Sequence, residues 1–403
     1  MAIKSSEMKF EFALILLVLT VNAAADRVVP SDRVRHHVNV FEQASGQSNE
    51  IGELRVGQSF ELVGSISRWH EVELPDGRNG FVSRSWTRVV EEPGEDQDEL
   101  VIHYLNVGAG TCTVVECPGQ NAPPMIVDCG SVGRHNGLTD TQARNYIENV
   151  LNNHDPDPNV VISHPHTDHY GMIAEVLENV QSANIWLGGD TDGYEHRGFP
   201  TWLADQRDGG ATVHEGLPQN FHNDEQAMPG TTLGCGDAEV FTLTVNTGNS
   251  PNVNSHVLEI RYDDFGATFT GDAEGETESQ ALANYNSNVK TTVLTSSHHG
   301  SASNQSNHQA WADATSPEVV IYSAGNRFGH PHCTVLPRYR SDLATAPEHP
   351  LRCGTSTGYE NSQSRLAEYL TATNGVVVVR SDGTSPLTLT CTLSTGCTAS
   401  IDH

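Results

Sequence analysis

Seven consecutive residues, Ser163-His-Pro-His-Thr-Asp-His169, put three imidazoles and a carboxylate where an apolar run gives way to a helical pattern. His164 and His166 are two apart, so in an extended segment both project to the same side. Pro165 between them disfavours a helical turn and keeps the segment extended. Asp168 and His169 follow in the turn, within reach of a second ion. This donor set suits Zn²⁺ or a similar borderline cation. Two later segments supply what one motif cannot. Phe269-Thr-Gly-Asp272 closes a strand-like run with a carboxylate that can bridge two cations, and Thr292–Ser301 brings His298 and His299 to the end of another. Alone, a Gly-Asp reads as a turn, and a His-His-Gly leaves a mere loop open as the lesser reading. Together at strand ends, the three segments read as one two-metal site.

The elements that must position these residues alternate along the second part of the chain. Leu100–Leu105, Thr113–Glu116, Met125–Asp128 and Asn159–Ser163 are β-type runs. Met172, Ile173, Val176, Leu177 and Val180 then repeat with helical spacing. Further strands are expected at Phe241–Val245, His256–Tyr262, Ala267–Thr270, Thr292–Thr295, Val319–Tyr322 and Val376–Val379. Many strands with interspersed helices predict an α/β unit, from residue 100 to 403, of layered sheets covered by helices.

Residues 27–90 form a different pattern. Short alternating stretches at Val38–Phe41, Gly52–Val56, Ser59–Val63, His70–Leu74 and Gly80–Val82 are separated by turn residues such as Pro75-Asp-Gly77. They predict a small all-β barrel, joined through a Glu-, Pro- and Gly-rich linker at residues 91–99.

Lys4 and Lys9, the apolar run Phe10–Val21 and Asn22-Ala-Ala-Ala25 form a basic region, a short apolar stretch and a small-residue cleavage site. Residues 1–25 are therefore expected to be a signal peptide, leaving an exported mature chain, periplasmic or extracellular, without a transmembrane segment. Eight cysteines, with no C-x-x-C pair, suit disulfides in an oxidising compartment rather than a cysteine zinc knot. Cys391 with Cys397 and Cys333 with Cys353 are the shortest loop closures; the pairing itself is not written in the sequence. A formal charge of −29 repels phosphate polymers at long range, so a nucleic-acid substrate must be gripped locally.

The order HPHTDH, TGD, HHGS resembles the metallo-β-lactamase superfamily. The flanks HYLNVGAGTCTVVECPG, MIVDCGS, NSHVLEIRYDDFGATFTGDAEGE and SAGNRFGHPHCTVL resemble the branch that holds the extracellular domain of the DNA-uptake protein ComEC and secreted phosphorylcholine esterases. This resemblance spans Leu100 to Gly383 and implies an αββα sandwich with its site at the rim of two sheets. Residues 27–90 resemble the bacterial SH3-like domain, most tellingly around Trp69 and the Pro-Asp-Gly-Arg…Gly-Phe-Val ending. Such modules either contact peptidoglycan or act as spacers.

Carried over by position, the resemblance implies that His164 and His166 hold the first metal and Asp168 and His169 the second, with Asp272 bridging. Either His298 or His299 completes the second metal; His298 is taken as the ligand, with His299 facing the substrate. Asp128 supports the ligands from behind, and His330 lies near the substrate, as a charge stabiliser or, with His299 as the other candidate, a general acid. The chain departs from the branch at Asn106 and Ala109-Gly-Thr111, where acids are usual. Many members of the superfamily take a further histidine ligand before the bridging aspartate, and His256 is the nearest candidate; it stands where the branch has an apolar residue and shares a strand face with Leu258 and Ile260, so it is either that ligand or a packed core histidine. His214 and His222 lie in a polar stretch and carry no expected role. The expected reaction is phosphodiester hydrolysis by a water activated between two divalent cations, Zn²⁺ or Mn²⁺, with Asp168 and Asp272 orienting it. DNA and cell-envelope phosphoesters are the competing substrates. A lactamase or lactonase is the rival enzyme, and a wall-binding protein with a structural metal site the rival without catalysis.

Overall fold

The computed structural model describes residues 27–403 apart from 32–33, 67, 91–98, 155–156, 197, 224–232, 286–288 and 395–396. The signal-peptide expectation and nearly all of the linker lie outside the described residues.

The N-terminal unit is all β, a seven-stranded antiparallel sheet rather than the five runs read from sequence. Its order is Glu50–Arg55, His37–Phe41, Asn79–Ser83, Trp69–Glu73, Phe60–Ile66, Arg27–Pro30 and Thr87–Val90. The two additional strands, Arg27–Pro30 and Thr87–Val90, pair with each other at the ends of the unit. Alternation along each strand turns Val28, Val38, Val40, Leu54, Phe60, Val72 and Val82 into one core.

In the second unit a nine-stranded sheet runs Thr212–His214, Asn184–Leu187, Asn159–Ile162, Met125–Cys129, Cys112–Glu116, Leu100–Tyr104, Val377–Ser381, Leu387–Cys391, Ala399–Ile401. A six-stranded sheet runs Glu239–Thr244, Val257–Tyr262, Phe265–Phe269, Val293–Thr295, Val319–Tyr322, Glu368–Leu370. The two face each other. Leu100, Ile102, Tyr104 and Val127 from the first interdigitate with Leu258, Ile260, Phe269 and Ile321 from the second in one buried cluster. The opposite faces are covered by helices. Ile126, Val160 and Ile162 pack on Ile147 of Asp140–Leu151 and Trp202 of Phe199–Asp208. On the far side, Leu294, Val320 and Tyr322 pack on Ala281 of Gly275–Asn284 and Trp311 of Gln309–Thr315. The result is four layers, helix–sheet–sheet–helix. Strands buried on both faces explain why the sequence reads there as unbroken apolar runs.

The helix Asp140–Leu151 has a clear cause. Thr139 caps it through a reciprocal capping box with Gln142, and Ala143, Ile147, Val150 and Leu151 form its buried stripe. The helical spacing from Met172 to Val180 yields only the single turn Ile173–Val176, after a separate turn at Thr167–Tyr170. Four disulfides, Cys112–Cys129, Cys117–Cys235, Cys333–Cys353 and Cys391–Cys397, engage all eight cysteines. Among the described residues, no helix is long and apolar enough to cross a membrane.

Candidate metal centre

The strands Met125–Cys129 and Asn159–Ile162 run parallel, as do Phe265–Phe269, Val293–Thr295 and Val319–Tyr322. Parallel strands end on the same side, so the segments that follow them collect along one rim, where loops rather than ladder bonds decide which groups point outward. Asp128 closes the first strand, Ser163–His169 follows the second, Asp272 the third, His298 and His299 the fourth, and Ser323–His330 the fifth.

Two sets of three side chains converge there. His164, His166 and Asp272 form one, and Asp168, His169 and His299 the other, each with ligand atoms within 4.8 Å of one another. Asp272 faces both. Its Oδ2 lies 3.7 Å from His164 Nε2, while its Oδ1 lies 3.0 Å from His169 Nε2 and 3.2 Å from His299 Nε2. The expected extension of the first motif is replaced by a bend, with His166 N–H donating to the His164 carbonyl at 3.0 Å. Pro165 excludes a helix but permits this bend, and the two rings still converge, their centroids 4.7 Å apart.

The partners behind each ring decide which nitrogen faces inward. Asp128 accepts from Ser163 N at 2.6 Å, from Ser163 Oγ at 2.7 Å and from His169 Nδ1 at 2.8 Å. With its proton directed to Asp128, Ser163 Oγ accepts from His164 Nδ1 at 3.0 Å. His299 Nδ1 donates to the Ser323 carbonyl at 2.7 Å. His164, His169 and His299 therefore each turn a lone-pair Nε2 toward the centre. Asp272 N is held by Ser255 Oγ at 3.0 Å, which fixes the carboxylate from the backbone side.

The paired histidines resolve differently from the sequence expectation. His298, His299 and Gly300 are three successive left-handed residues, with φ of 50°, 57° and 85°. That turn sends His299 into the set with Asp168 and His169 and leaves His298 outside both sets, its Nε2 3.6 Å from Asp272 Oδ2 and 3.5 Å from Asn252 Nδ2. The turn is held by Asn307. Its Nδ2 donates to the Ser297 and Ser301 carbonyls at 2.8 Å each, and its Oδ1 accepts from Ser296 Oγ and the Tyr339 hydroxyl at 2.7 Å each.

The electrostatics are those of a compact anion–imidazole cluster. Burial opposes the charge on Asp272, but His169, His299 and His298 hold its carboxyl well below the usual range; Asp168 is held down against its own burial by His299 and His169. Burial disfavours charge on His169, yet Asp272 and Asp128 raise its pKa well above normal; His299 is raised against burial by Asp272 and Asp168. His164 is pushed well down by burial and by His169. His330 stacks at 6.2 Å on His299, and burial, His299 and His298 push it down to about 3.

The remaining sequence candidates lie outside both sets. His256 is buried, donates or accepts through Nε2 with Thr242 Oγ1 at 2.9 Å, and is pushed down to about 4 by burial. His214 stacks on Trp186 at 4.5 Å, and His222 contacts the Asn220 carbonyl. Asn106 braces its own loop through Gly108 N and the Asn136 carbonyl. Sequence reading missed Ser255, Ser323 and Asn307. The first acts through a hydroxyl and the second through a backbone carbonyl, neither of which leaves a motif.

No family model and no curated protein matches the chain. Among solved structures it is similar to CmlA, a diiron beta-hydroxylase from Streptomyces venezuelae, at 16% identity and a TM-score of 0.34, over 60% of this chain and 47% of that one. A point mutant of that hydroxylase gives 16% identity and a TM-score of 0.36, over 64% of this chain and 50% of the other. The chain thus spans about half the length of these structures.

Proposed function

We propose that this chain is an exported metal-dependent hydrolase of the metallo-β-lactamase type, a phosphodiesterase that works with two divalent cations, Zn²⁺ or else Mn²⁺. The observation that carries the reading is Asp272, whose two carboxylate oxygens face two separate His/Asp sets. The donor set fits the ions. Imidazoles whose Nδ1–H is committed outward, so that Nε2 faces the centre, together with two ionised carboxylates, are what a borderline dication takes once the rings give up any second proton. His164, His166 and Asp272 would hold one ion, and Asp168, His169 and His299 the other, with Asp272 shared. Bound there, the ions supply a water acidified toward neutrality and polarise the scissile group.

The chain's own residues do the rest. Asp128 fixes the His169 ring and its tautomer, and the Ser323 carbonyl does the same for His299. Asp168 and Asp272 present acceptors that orient the attacking water. His330, neutral near pH 7, offers an N–H to charge developing on the substrate or its leaving group. A neutral imidazole stabilises charge but is a poor acid, so His330→Ala is expected to lose rate about equally on a poor leaving group and on nitrophenolate; a far larger loss on the poor leaving group would show that it protonates the leaving group instead. Four disulfides support export. Residues 27–90, as an SH3-like module, would contact peptidoglycan and hold the enzyme at the envelope.

The test is hydrolysis of single- and double-stranded DNA by the mature, metal-loaded protein, with His166→Ala as control. Metal-dependent cleavage lost in the variant supports a secreted nuclease. No DNA cleavage at two metals per chain shifts the substrate to envelope phosphoesters, phosphorylcholine esters first. Failure on every phosphodiester overturns the reading.

A further inference from the structure

The segment after Val319–Tyr322 crosses the mouth of the metal centre and carries an unusual residue. Phe328 has φ of 66°, a left-handed backbone that a bulky side chain adopts only under constraint, and it is the most exposed large apolar side chain among the described residues, at 59%. The loop is built to hold it. Tyr359 accepts a hydrogen bond from Gly329 N at 3.2 Å and donates to the Arg327 carbonyl at 3.4 Å. Arg352 lies over the Tyr359 ring at 4.4 Å and donates to the Gly325 carbonyl at 3.2 Å and to Asn326. Arg327, anchored on the Val132 carbonyl, lies over the Phe328 ring with Cζ 4.6 Å from its centroid. Asp168, His299, Arg327, Phe328 and His330 line a single pocket, so the phenyl ring stands at the wall of the centre itself.

We propose that Phe328 and Arg327 form a nucleobase platform, and that the substrate is a nucleotidyl phosphodiester presented single-stranded. This rests on the phosphodiesterase reading above and selects within it. Arg327 covers one face of the phenyl ring, so a planar base would stack on the other, while the guanidinium attracts the adjoining phosphate. A quaternary ammonium headgroup on that open face would sit across the ring from the Arg327 charge, 4.6 Å from the ring centre, which repels it as it does not repel a neutral base. Bases inside a duplex offer no free face to an exposed side chain. The acidic surface, at −29, gives no long-range attraction for polyphosphate, so affinity must come from local contacts of this kind.

The test measures binding and turnover separately. Fluorescein-labelled phosphorothioate oligothymidylate, eight nucleotides long and resistant to cleavage, is titrated with metal-loaded protein and followed by anisotropy. Phe328→Ala is expected to weaken binding roughly five- to hundredfold, the range of one base stack, and Phe328→Trp to retain it. In parallel, kcat/KM is compared for a thymidine dinucleotide and for base-free methyl nitrophenyl phosphate. The dinucleotide preference should fall about tenfold or more in Phe328→Ala. Equal binding by wild type and Phe328→Ala, loss of binding in Phe328→Trp as well, no binding by wild type, or a preference for phosphorylcholine esters each overturns the platform. Hydrolysis of the base-free ester without oligonucleotide binding removes the platform and spares the phosphodiesterase. Binding that depends on Phe328, with no hydrolysis of either ester, does the reverse.

Discussion

His169 Nε2 and His299 Nε2 lie 3.2 Å apart with no proton of their own to join them, because each ring already donates its Nδ1–H, one to Asp128 and the other to the Ser323 carbonyl. Two facing lone pairs are stable only around a cation, either a proton or a metal. Without metal, the carboxylates favour protonation of this pair, so both pKa values rise despite burial, even though charge on His169 opposes charge on His299.

A linkage between protons and metal follows. Metal binding must expel these protons, so affinity should rise with pH, and titration calorimetry in buffers of different ionisation enthalpy should register net proton release near neutrality. For the metal-free protein the raised folded values mean that the stabilisation is fully present below the ordinary histidine value of 6.5 and is lost as pH climbs through the folded values. Its Tm should therefore fall on the alkaline side, while the metal-loaded protein should not follow. Asp168 and Asp272, both held low, contribute above the ordinary carboxylate value of 3.8 and lose that contribution as pH falls. A metal-free Tm that is flat from neutral to mildly alkaline pH contradicts this account.

Asp128→Asn should weaken metal binding about 10- to 100-fold with the fold intact. The carboxylate accepts three hydrogen bonds, and an amide can offer one oxygen while turning an NH₂ toward a donor. The His169 ring is then free to change tautomer and withdraw its inward lone pair. Competition against a graded chelator reads the effect; an affinity equal to wild type would show that Asp128 is merely packed.

Asn307→Ala should destabilise the protein by roughly 2–4 kcal/mol, since it strands two carbonyls and two hydroxyls in a buried place. Both ends of the left-handed turn lose their anchor, so the His299 side of the centre should lose metal first. Denaturant unfolding gives the stability, and metal titration gives the stoichiometry. One tight and one weak site is the expected pattern; two unchanged sites would assign Asn307 to stability alone.

What the sequence disclosed was mostly local. HPHTDH, TGD and HHGS each lie within one strand end, and the strands leading to them are unbroken apolar runs. The choice between His298 and His299 was not legible, because adjacent residues are sorted by backbone φ, and the left-handed turn depends on Asn307 several residues later. The Ser323 carbonyl has no side-chain signature. In the N-terminal unit, Arg27–Pro30 and Thr87–Val90 are too short to show alternation, and only their mutual pairing makes them strands. Helix Asp140–Leu151 is legible in the capping-box spacing of Thr139 and Gln142. In the hairpin Thr345–Thr355 with Gly358–Leu366, which holds the Phe328 loop, the second strand is polar almost throughout and the alternation of the first is confined to His349, Leu351 and Cys353, too short to stand out.

The disulfides separate into a strong and a weak constraint. Cys117–Cys235 closes a loop of sequence separation 118, and it ties the end of Cys112–Glu116 to the segment entering the opposite sheet at Glu239–Thr244. Cys391–Cys397 closes only 6. On loop-closure entropy alone the first contributes about 5 kcal/mol and the second about 2 kcal/mol. The Cys117→Ser/Cys235→Ser double variant should therefore lose clearly more stability than Cys391→Ser/Cys397→Ser, as read by denaturant unfolding under oxidising conditions. Cys117 and Cys235 are both buried in the core shared by the sheets, whereas of the short pair Cys397 is buried and Cys391 only partly so, and replacing the long pair therefore leaves more buried hydroxyl there. Equal losses would mean that the unfolded chain is already compact around the long loop. Thiol titration of protein recovered from an oxidising compartment completes the test, with no free cysteine expected among the eight.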